Sequence, residues 1–112
     1  MPIANCIISP ECKRNTDRPK SLIELWSSEA KISSEHMTIN LTQSSEQLGK
    51  KYQVMATLLL PSAWSLTDIS SLQIGLAVAL GEYFHLHINE VFVSTTIVNS
   101  GMVVETGKEV VW

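Results

Sequence analysis

Runs of β-prone residues between turn signals predict four strands in this chain. The alternation is clearest at 37–43, where Met37, Ile39 and Leu41 point one way and the polar residues between them point the other. Proline ends two of the strands because it lacks the N–H group that a sheet ladder requires. The predicted strands cover 3–9, 37–43, 53–60 and 91–98, with Pro10 and Pro61 ending the first and the third.

Helical periodicity and capping residues predict two helices, one after the first strand and one after the third. The first helix is predicted to start at a cap on Thr16 or Asp17 and to hold Pro19 in its first turn. It ends near Lys31. The second helix is predicted to start at Ser65, and its body is apolar on most sides, with small residues that permit close approach to a sheet.

The order of these elements predicts an α+β fold. Each helix joins two strands, and a crossover of that length returns the chain parallel to the strand it left. Two consecutive β-α-β units therefore form one mixed sheet with both helices on one face. A terminal ribbon follows, with short strands at 102–104 and 110–112 around a turn at 105–108. All 112 residues are expected to form a single domain, since a second core needs roughly 100 more residues.

The sheet face that points away from the helices is predicted to be half polar. A domain of this size leaves much of its surface exposed, so covering this face with another subunit is a natural way to bury more of it. On the predicted register the face carries Asn5, Ser9, Thr38, Asn40, Thr42, Ser94 and Thr96.

Composition narrows the classes of partner. The net charge of -3 provides no basic field for a phosphate backbone, so nucleic acid is not expected. The longest apolar stretch, at 72–80, falls far short of the ~20 residues of a membrane span, and the N-terminal residues lack the pattern of a signal peptide. A cytoplasmic protein without a membrane partner is expected, with Cys6 and Cys12 as free thiols. No phosphate loop, nucleophile elbow or Cys-x-x-Cys pair occurs, so neither a cofactor nor a metal is expected.

Three features together resemble the tautomerase superfamily, which includes 4-oxalocrotonate tautomerase and macrophage migration inhibitory factor. The residues Met1-Pro2-Ile3-Ala4 lead directly into a strand, two β-α-β units follow, and a segment at 100–105 precedes Trp112. The resemblance covers the whole chain in layout. It implies a homotrimer in which edge strands pair between neighbours and the half-polar sheet faces are covered.

The resemblance also implies a catalytic role for Pro2. In the family the initiator methionine is removed, and the prolyl nitrogen lies in an apolar pocket near cationic side chains. Burial and positive charge both disfavour the protonated amine and so lower its pKa. Such an amine can move a proton on an enol or α-keto acid, which gives keto-enol tautomerisation. If Met1 stays attached, the Pro2 nitrogen is a tertiary amide and has no basic lone pair.

The same resemblance implies positions for the groups that bind the substrate. Either Lys13 or Arg14 stands near the place where simpler relatives have a first arginine. Thr38 stands near the place of a second arginine, and its lack of charge argues against a doubly charged substrate. Ser94 stands near a pocket position of the cytokine-like members, although the tyrosine and asparagine found there are missing. Glu105 is the acid in the late region where hydratase- and dehalogenase-like relatives place a water-activating carboxylate.

Two alternatives to an isomerase remain open at the level of sequence. One is a non-catalytic trimer of the same fold that serves as a binding or structural module. The other is a relative that hydrates or dehalogenates small acids through Glu105. The histidines are assigned simpler roles: His36 is predicted to be structural, and His85 and His87 are predicted to lie in a surface loop.

Overall fold

The computed structural model of the protein describes residues 1–12 and 21–112. It contains a four-stranded sheet, two helices and a small two-stranded sheet. In chain order the elements are β1 (Ile3–Ile8), α1 (Leu22–Ala30), β2 (Thr38–Gln43), β3 (Val54–Pro61), α2 (Leu66–Phe84), β4 (Val91–Val98), β5 (Val103–Glu105) and β6 (Lys108–Val110). Short 3-10 turns at Ser34–His36 and Ile88–Glu90 precede β2 and β4.

The large sheet has the strand order β2-β1-β3-β4. Strand β1 is parallel to β2, β3 is parallel to β4, and the two halves meet at an antiparallel pair between β1 and β3. Each helix therefore connects a parallel pair, as a crossover of this length requires. The predicted mixed sheet built from two β-α-β units is confirmed.

Alternation along the strands places the core between the sheet and the helices. Ala4, Cys6 and Ile8 of β1 are almost completely buried, while Asn5 and Ile7 are exposed on the other face. The corresponding buried residues of β3 and the helices complete the core. They are Val54, Ala56, Leu58, Leu60, Leu22, Trp26, Ala30, Leu72, Leu76, Ala79, Leu80 and Phe84.

The N-terminus of α1 differs from its prediction. The helix is capped by Ser21, whose Oγ accepts a hydrogen bond from the Glu24 backbone N–H at 3.2 Å. The predicted cap at Thr16 or Asp17 is therefore wrong. Several residues in this stretch have cap-competent side chains, and local sequence did not distinguish them. Residues 13–20 themselves lie outside the described part of the chain.

Two other details of the prediction need correction. Strand β6 covers Lys108–Val110 rather than 110–112, because Thr106 (φ 52°) and Gly107 (φ 76°) form a tight turn that places Lys108 opposite Glu105. Ser9 is not on the open sheet face, which is the face of the large sheet that points away from the helices. It is 3% exposed and its Oγ donates a hydrogen bond to Gln53 Oε1 at 2.6 Å.

The open sheet face carries a polar row between two more apolar rows. Asn5 pairs in register with Asn40 and with Thr57, and Thr57 pairs with Ser94. The Asn40 Nδ2 group donates to Asn5 Oδ1 at 2.8 Å. Neither helix among the described residues combines the length and apolar character that crossing a bilayer requires.

Gly75 marks the closest approach of the two helices, and its replacement tests that packing. A Cβ placed on Gly75 lies 2.9 Å from the Ala30 backbone nitrogen and 3.1 Å from its Cα. Because backbone atoms cannot rotate away, Gly75→Ala is expected to lower the free energy of unfolding by about 1–3 kcal/mol in denaturant titrations. Gly81→Ala is the matched control, since its Cβ meets only Leu86 O at 3.4 Å, and it is expected to be neutral or stabilising by up to ~1 kcal/mol. Equal effects of the two substitutions would contradict this account of the helix crossing.

Candidate functional site

A cavity of about 410 Å³ lies at one end of the large sheet. It forms where β1 begins, β2 begins and β3 ends, because β1 and β2 run parallel and β3 runs against them. Met1 and Ile3 line the cavity from the N-terminal strand, and Thr38, the register partner of Ile3, lines it from β2. Pro61 closes the β3 side.

The β5-β6 hairpin forms a second side of the cavity. Val103 and Glu105 are two residues apart on β5, and Val110 pairs with Val103 across the ladder. These three side chains therefore lie on one face of the hairpin, and all three line the cavity. The carboxylate of Glu105 is thereby placed in a lining that is otherwise largely apolar.

Trp112 is fixed at the cavity by two hydrogen bonds. Its backbone N–H donates to Ser100 Oγ at 2.8 Å, and its indole Nε1 donates to Ser62 Oγ at 2.9 Å. Ser62 directly follows Pro61 at the end of β3. The indole ring is consequently tied to the end of β3, and Trp112 lines the cavity.

His36 enters the lining from the 3-10 turn that precedes β2. Ser33 caps this turn, its Oγ accepting from the Glu35 backbone N–H at 3.3 Å. The imidazole side chain is 74% exposed, and its Nε2 lies 4.0 Å from Glu35 Oε2. It is thus a solvated group at the edge of the cavity rather than a packed one.

Pro2 lies between Met1 and Ile3, two residues of the cavity lining. The residue is buried, and its carbonyl oxygen accepts a hydrogen bond from the Thr38 backbone N–H at 3.0 Å. Its nitrogen is bonded to Met1, which itself lines the cavity. The Pro2 nitrogen is therefore one bond away from a residue that lines the cavity.

No protein-family model and no curated protein matches the chain, but solved structures do. The fused 4-OT named F6, an asymmetric trimer, superposes with a TM-score of 0.77 at 12% identity, over 96% of this chain and 94% of the other. N1, a member of the cis-3-chloroacrylic acid dehalogenase family, gives a TM-score of 0.72 at 10% identity, over 96% and 82% of the two chains. The macrophage migration inhibitory factor from Oncomelania hupensis gives 0.70 at 11% identity, over 98% and 82%.

This chain has the tautomerase-superfamily fold. At these identities the similarity concerns the fold alone, so the chemistry must be argued from the residues of this chain.

Within the tautomerase fold, some of the predicted site residues line the cavity and others do not. Thr38 and Glu105 are brought together with Met1 around one cavity. Ser94 lies on the open sheet face opposite Thr57, outside the cavity lining. Lys13 and Arg14 lie outside the described residues, so their role stays a prediction.

Sequence reasoning missed two residues of the cavity. His36 was assigned a structural role, yet it is exposed and lines the cavity. Its position directly before β2 was the available signal, because a residue at the start of β2 is also beside the start of β1. Trp112 had no comparable signal, since its place depends on the hairpin folding back to Ser62.

The two cysteines do not contribute a reactive thiolate to this site. Both are free and buried. Burial raises the pKa of Cys6 to about 12. The pKa of Cys12 is also raised, mainly by burial and to a smaller extent by the nearby Glu90 carboxylate. Both thiols are therefore protonated at neutral pH and weak nucleophiles. Across residues 1–12 and 21–112, no three His, Cys, Asp or Glu side chains form a group that could hold a metal ion.

Proposed function

We propose that this protein is a small isomerase that moves a proton on an enol or α-keto acid. Pro2 acts as the base through its N-terminal amine once Met1 has been removed. The observation that carries the proposal is the position of Met1, which is bonded to the Pro2 nitrogen and lines the cavity of about 410 Å³. Loss of the first residue would place a secondary amine at a cavity large enough for a small acid.

The composition of the cavity supports proton transfer at carbon. Ile3, Pro61, Val103 and Val110 provide apolar surface, and Trp112 adds an aromatic one. A substrate that fills the cavity displaces water from these surfaces, and electrostatic interactions then become stronger than in bulk solvent. The amine lone pair takes the proton from the carbon or oxygen of the substrate, and the resulting ammonium returns it to the other atom. Lys13 or Arg14 remains our proposed cationic partner for the carboxylate or the enolate oxygen.

We also propose that the protein works as a homotrimer that covers the open sheet face. Ile7 and Phe92 are 49% and 39% exposed on this face, and apolar side chains in one patch commonly mark a contact surface. Among the described residues, β4 forms one edge of the sheet and pairs with β3 only, so a neighbouring chain can pair with its other side. The fused 4-OT F6, of the same fold, is a trimer.

The isomerase function is tested by measuring enol turnover in a Pro2→Ala variant, which is expected to lose it. The non-catalytic alternative predicts that the native protein keeps Met1 and that both forms lack turnover. An intact mass spectrum of the same preparation distinguishes these cases.

A hydratase or dehalogenase function is the second candidate, and Glu105 is the observation that favours it. Its carboxylate lines the same cavity as Met1, where it could accept a proton from a water molecule that adds to an unsaturated acid. For this function, Glu105→Gln is expected to lower turnover of an α,β-unsaturated acid by about 10²- to 10⁴-fold, because an amide cannot act as the base.

Glu109→Gln is the matched control for that experiment. Glu109 is exposed on the same hairpin and pairs with Val104, on the face opposite to Glu105. It is expected to keep the wild-type rate. Equal hydration rates in the Glu105→Gln variant and the wild type would reject the hydratase function and leave the isomerase function standing.

A further inference from the structure

The cavity lining contains ionisable side chains that have no role in the proposed isomerase mechanism. Among the described residues that line it, His36 is the one side chain that can carry a positive charge, and Glu105 is the one acid. A substrate acid must pair its carboxylate with some donor, since an unpaired anion in an apolar site is costly. The arginines or lysines that usually fill this role are missing from the described lining.

We infer that protonated His36, together with the Thr38 hydroxyl, binds the carboxylate of the substrate at the mouth of the cavity. The inference rests on the proposed function and names His36 as a specificity-determining residue for it. Both side chains come from the start of β2 and its preceding turn, two residues apart, and both line the cavity. An imidazolium and a hydroxyl so placed can each donate one hydrogen bond to a carboxylate.

The backbone leaves these two groups available. The Thr38 N–H is already used, because it donates to the Pro2 carbonyl oxygen. That bond fixes Thr38 beside the residue that carries the proposed base. The described residues hold His36 by its position on a capped turn, and its side chain is 74% exposed. It can therefore turn toward a bound anion without breaking any packing.

Several charged groups lie on the elements around His36. Glu35 lies 4.0 Å away on the same turn. Glu105 lines the cavity from β5, Lys108 lies opposite it in register on β6, and the N-terminal residue lines the cavity from the β1 side. Glu35 competes with the substrate for the imidazolium. On the hairpin side the Glu105 carboxylate and the opposing Lys108 ammonium leave no net positive charge, so the anion is directed to His36 on the β2 side. The arrangement favours a substrate with a single carboxylate.

The charge of His36 makes substrate binding depend on pH in a defined direction. A protonated histidine attracts an anion, and that attraction is lost when the proton leaves as pH rises. The KM for an acid substrate is therefore expected to rise with pH. The KM for the methyl ester of the same substrate is not expected to depend on the charge of His36, because the ester has no carboxylate.

The test measures KM and kcat for an aryl enol acid and its methyl ester at about pH 5.5 and pH 8. His36→Gln is expected to raise the KM for the acid about 3- to 10-fold at the lower pH, as a solvated charge-assisted contact allows, with kcat changed less than about twofold. The ester is expected to show no change. His36→Lys is expected to restore binding of the acid and to remove the His36-dependent rise of KM with pH.

Two controls separate this role from a structural one. His87→Gln replaces another exposed histidine, outside the cavity lining, and is expected to match the wild type. Thermal unfolding of His36→Gln is expected to be unchanged, because the side chain is exposed. An unaltered KM for the acid in His36→Gln, or an equal rise for acid and ester, would overturn the inference.

Binding measured without turnover distinguishes failure of this inference from failure of the proposed function. The probe is 3-phenylpropionate, a saturated carboxylate, titrated into the Pro2→Ala protein and into its His36→Gln derivative. Weaker binding in the derivative supports the role of His36 even if no enol is turned over. Equal binding, or no binding to either protein, counts against it.

Discussion

Pro2→Ala is expected to lower kcat/KM for ketonisation of an enol acid by about 10²- to 10⁴-fold. The proline ring holds its nitrogen in one orientation, whereas an N-terminal alanine leaves a primary amine on a backbone that rotates freely. The fold should survive, because the Pro2 nitrogen has no N–H to lose and the Pro2 carbonyl keeps its bond to the Thr38 N–H. Steady-state kinetics with phenylenolpyruvate measure the effect.

The covalent state of the Pro2 nitrogen provides the sharpest control for that result. Protein isolated with Met1 attached is expected to be inactive, and trimming it with methionine aminopeptidase is expected to restore turnover without any change in sequence after residue 1. Pro10→Ala changes an exposed proline after the other end of β1 and should keep the wild-type rate. Full activity in Pro2→Ala, or in protein with Met1 attached, contradicts the mechanism.

The layout of the fold could be predicted because its signals are local and repeated. Ala4, Cys6 and Ile8 alternate with Asn5 and Ile7, and that period of two alone decides which face of β1 meets the helices. Each helix between two strands then requires a parallel pair. These constraints act on residue classes rather than on particular residues, which is why structures only 10–12% identical share the fold.

The ends of elements were harder to predict because several residues compete for each role. Ser21 caps α1 although Thr16 and Asp17 precede it with equally suitable side chains. Ser9 has the spacing of an open-face residue, yet it turns inward to reach Gln53, 44 positions away in the sequence. Choices of this kind are made by tertiary contacts that no local pattern contains.

The candidate site was predictable only in part for the same reason. Thr38 and Glu105 were placed by resemblance, and both line the cavity beside Met1. Trp112 joins them through its bond to Ser62, 50 positions away. A cavity built from four separate segments of the chain has no sequence motif of its own. Its chemistry therefore rests on whichever side chains the fold brings together, and His36 is the example that local reasoning missed.

Thr57→Arg is expected to convert the proposed trimer to monomers. Thr57 is exposed at the centre of the open face, between Asn5 and Ser94 in register. In an isolated protomer an arginine there is solvated and costs little. In a trimer that covers this face each copy would bury an unpaired charge, at several kcal/mol per ion. Sedimentation equilibrium should then show a mass near 12.4 kDa instead of three times that value.

Ser28→Arg is the matched control because it adds the same charge at an exposed position on α1, away from the open sheet face. It should leave the assembly intact, so that charge alone cannot explain the dissociation. Far-UV circular dichroism should match the wild type for both variants, since neither residue belongs to the core. A Thr57→Arg protein that keeps the wild-type mass would show that the open face is not the contact surface. The exposed Ile7 and Phe92 would then need another explanation. The cavity does not provide one, because the polar row around Thr57 lies between these two residues and the cavity end of the sheet.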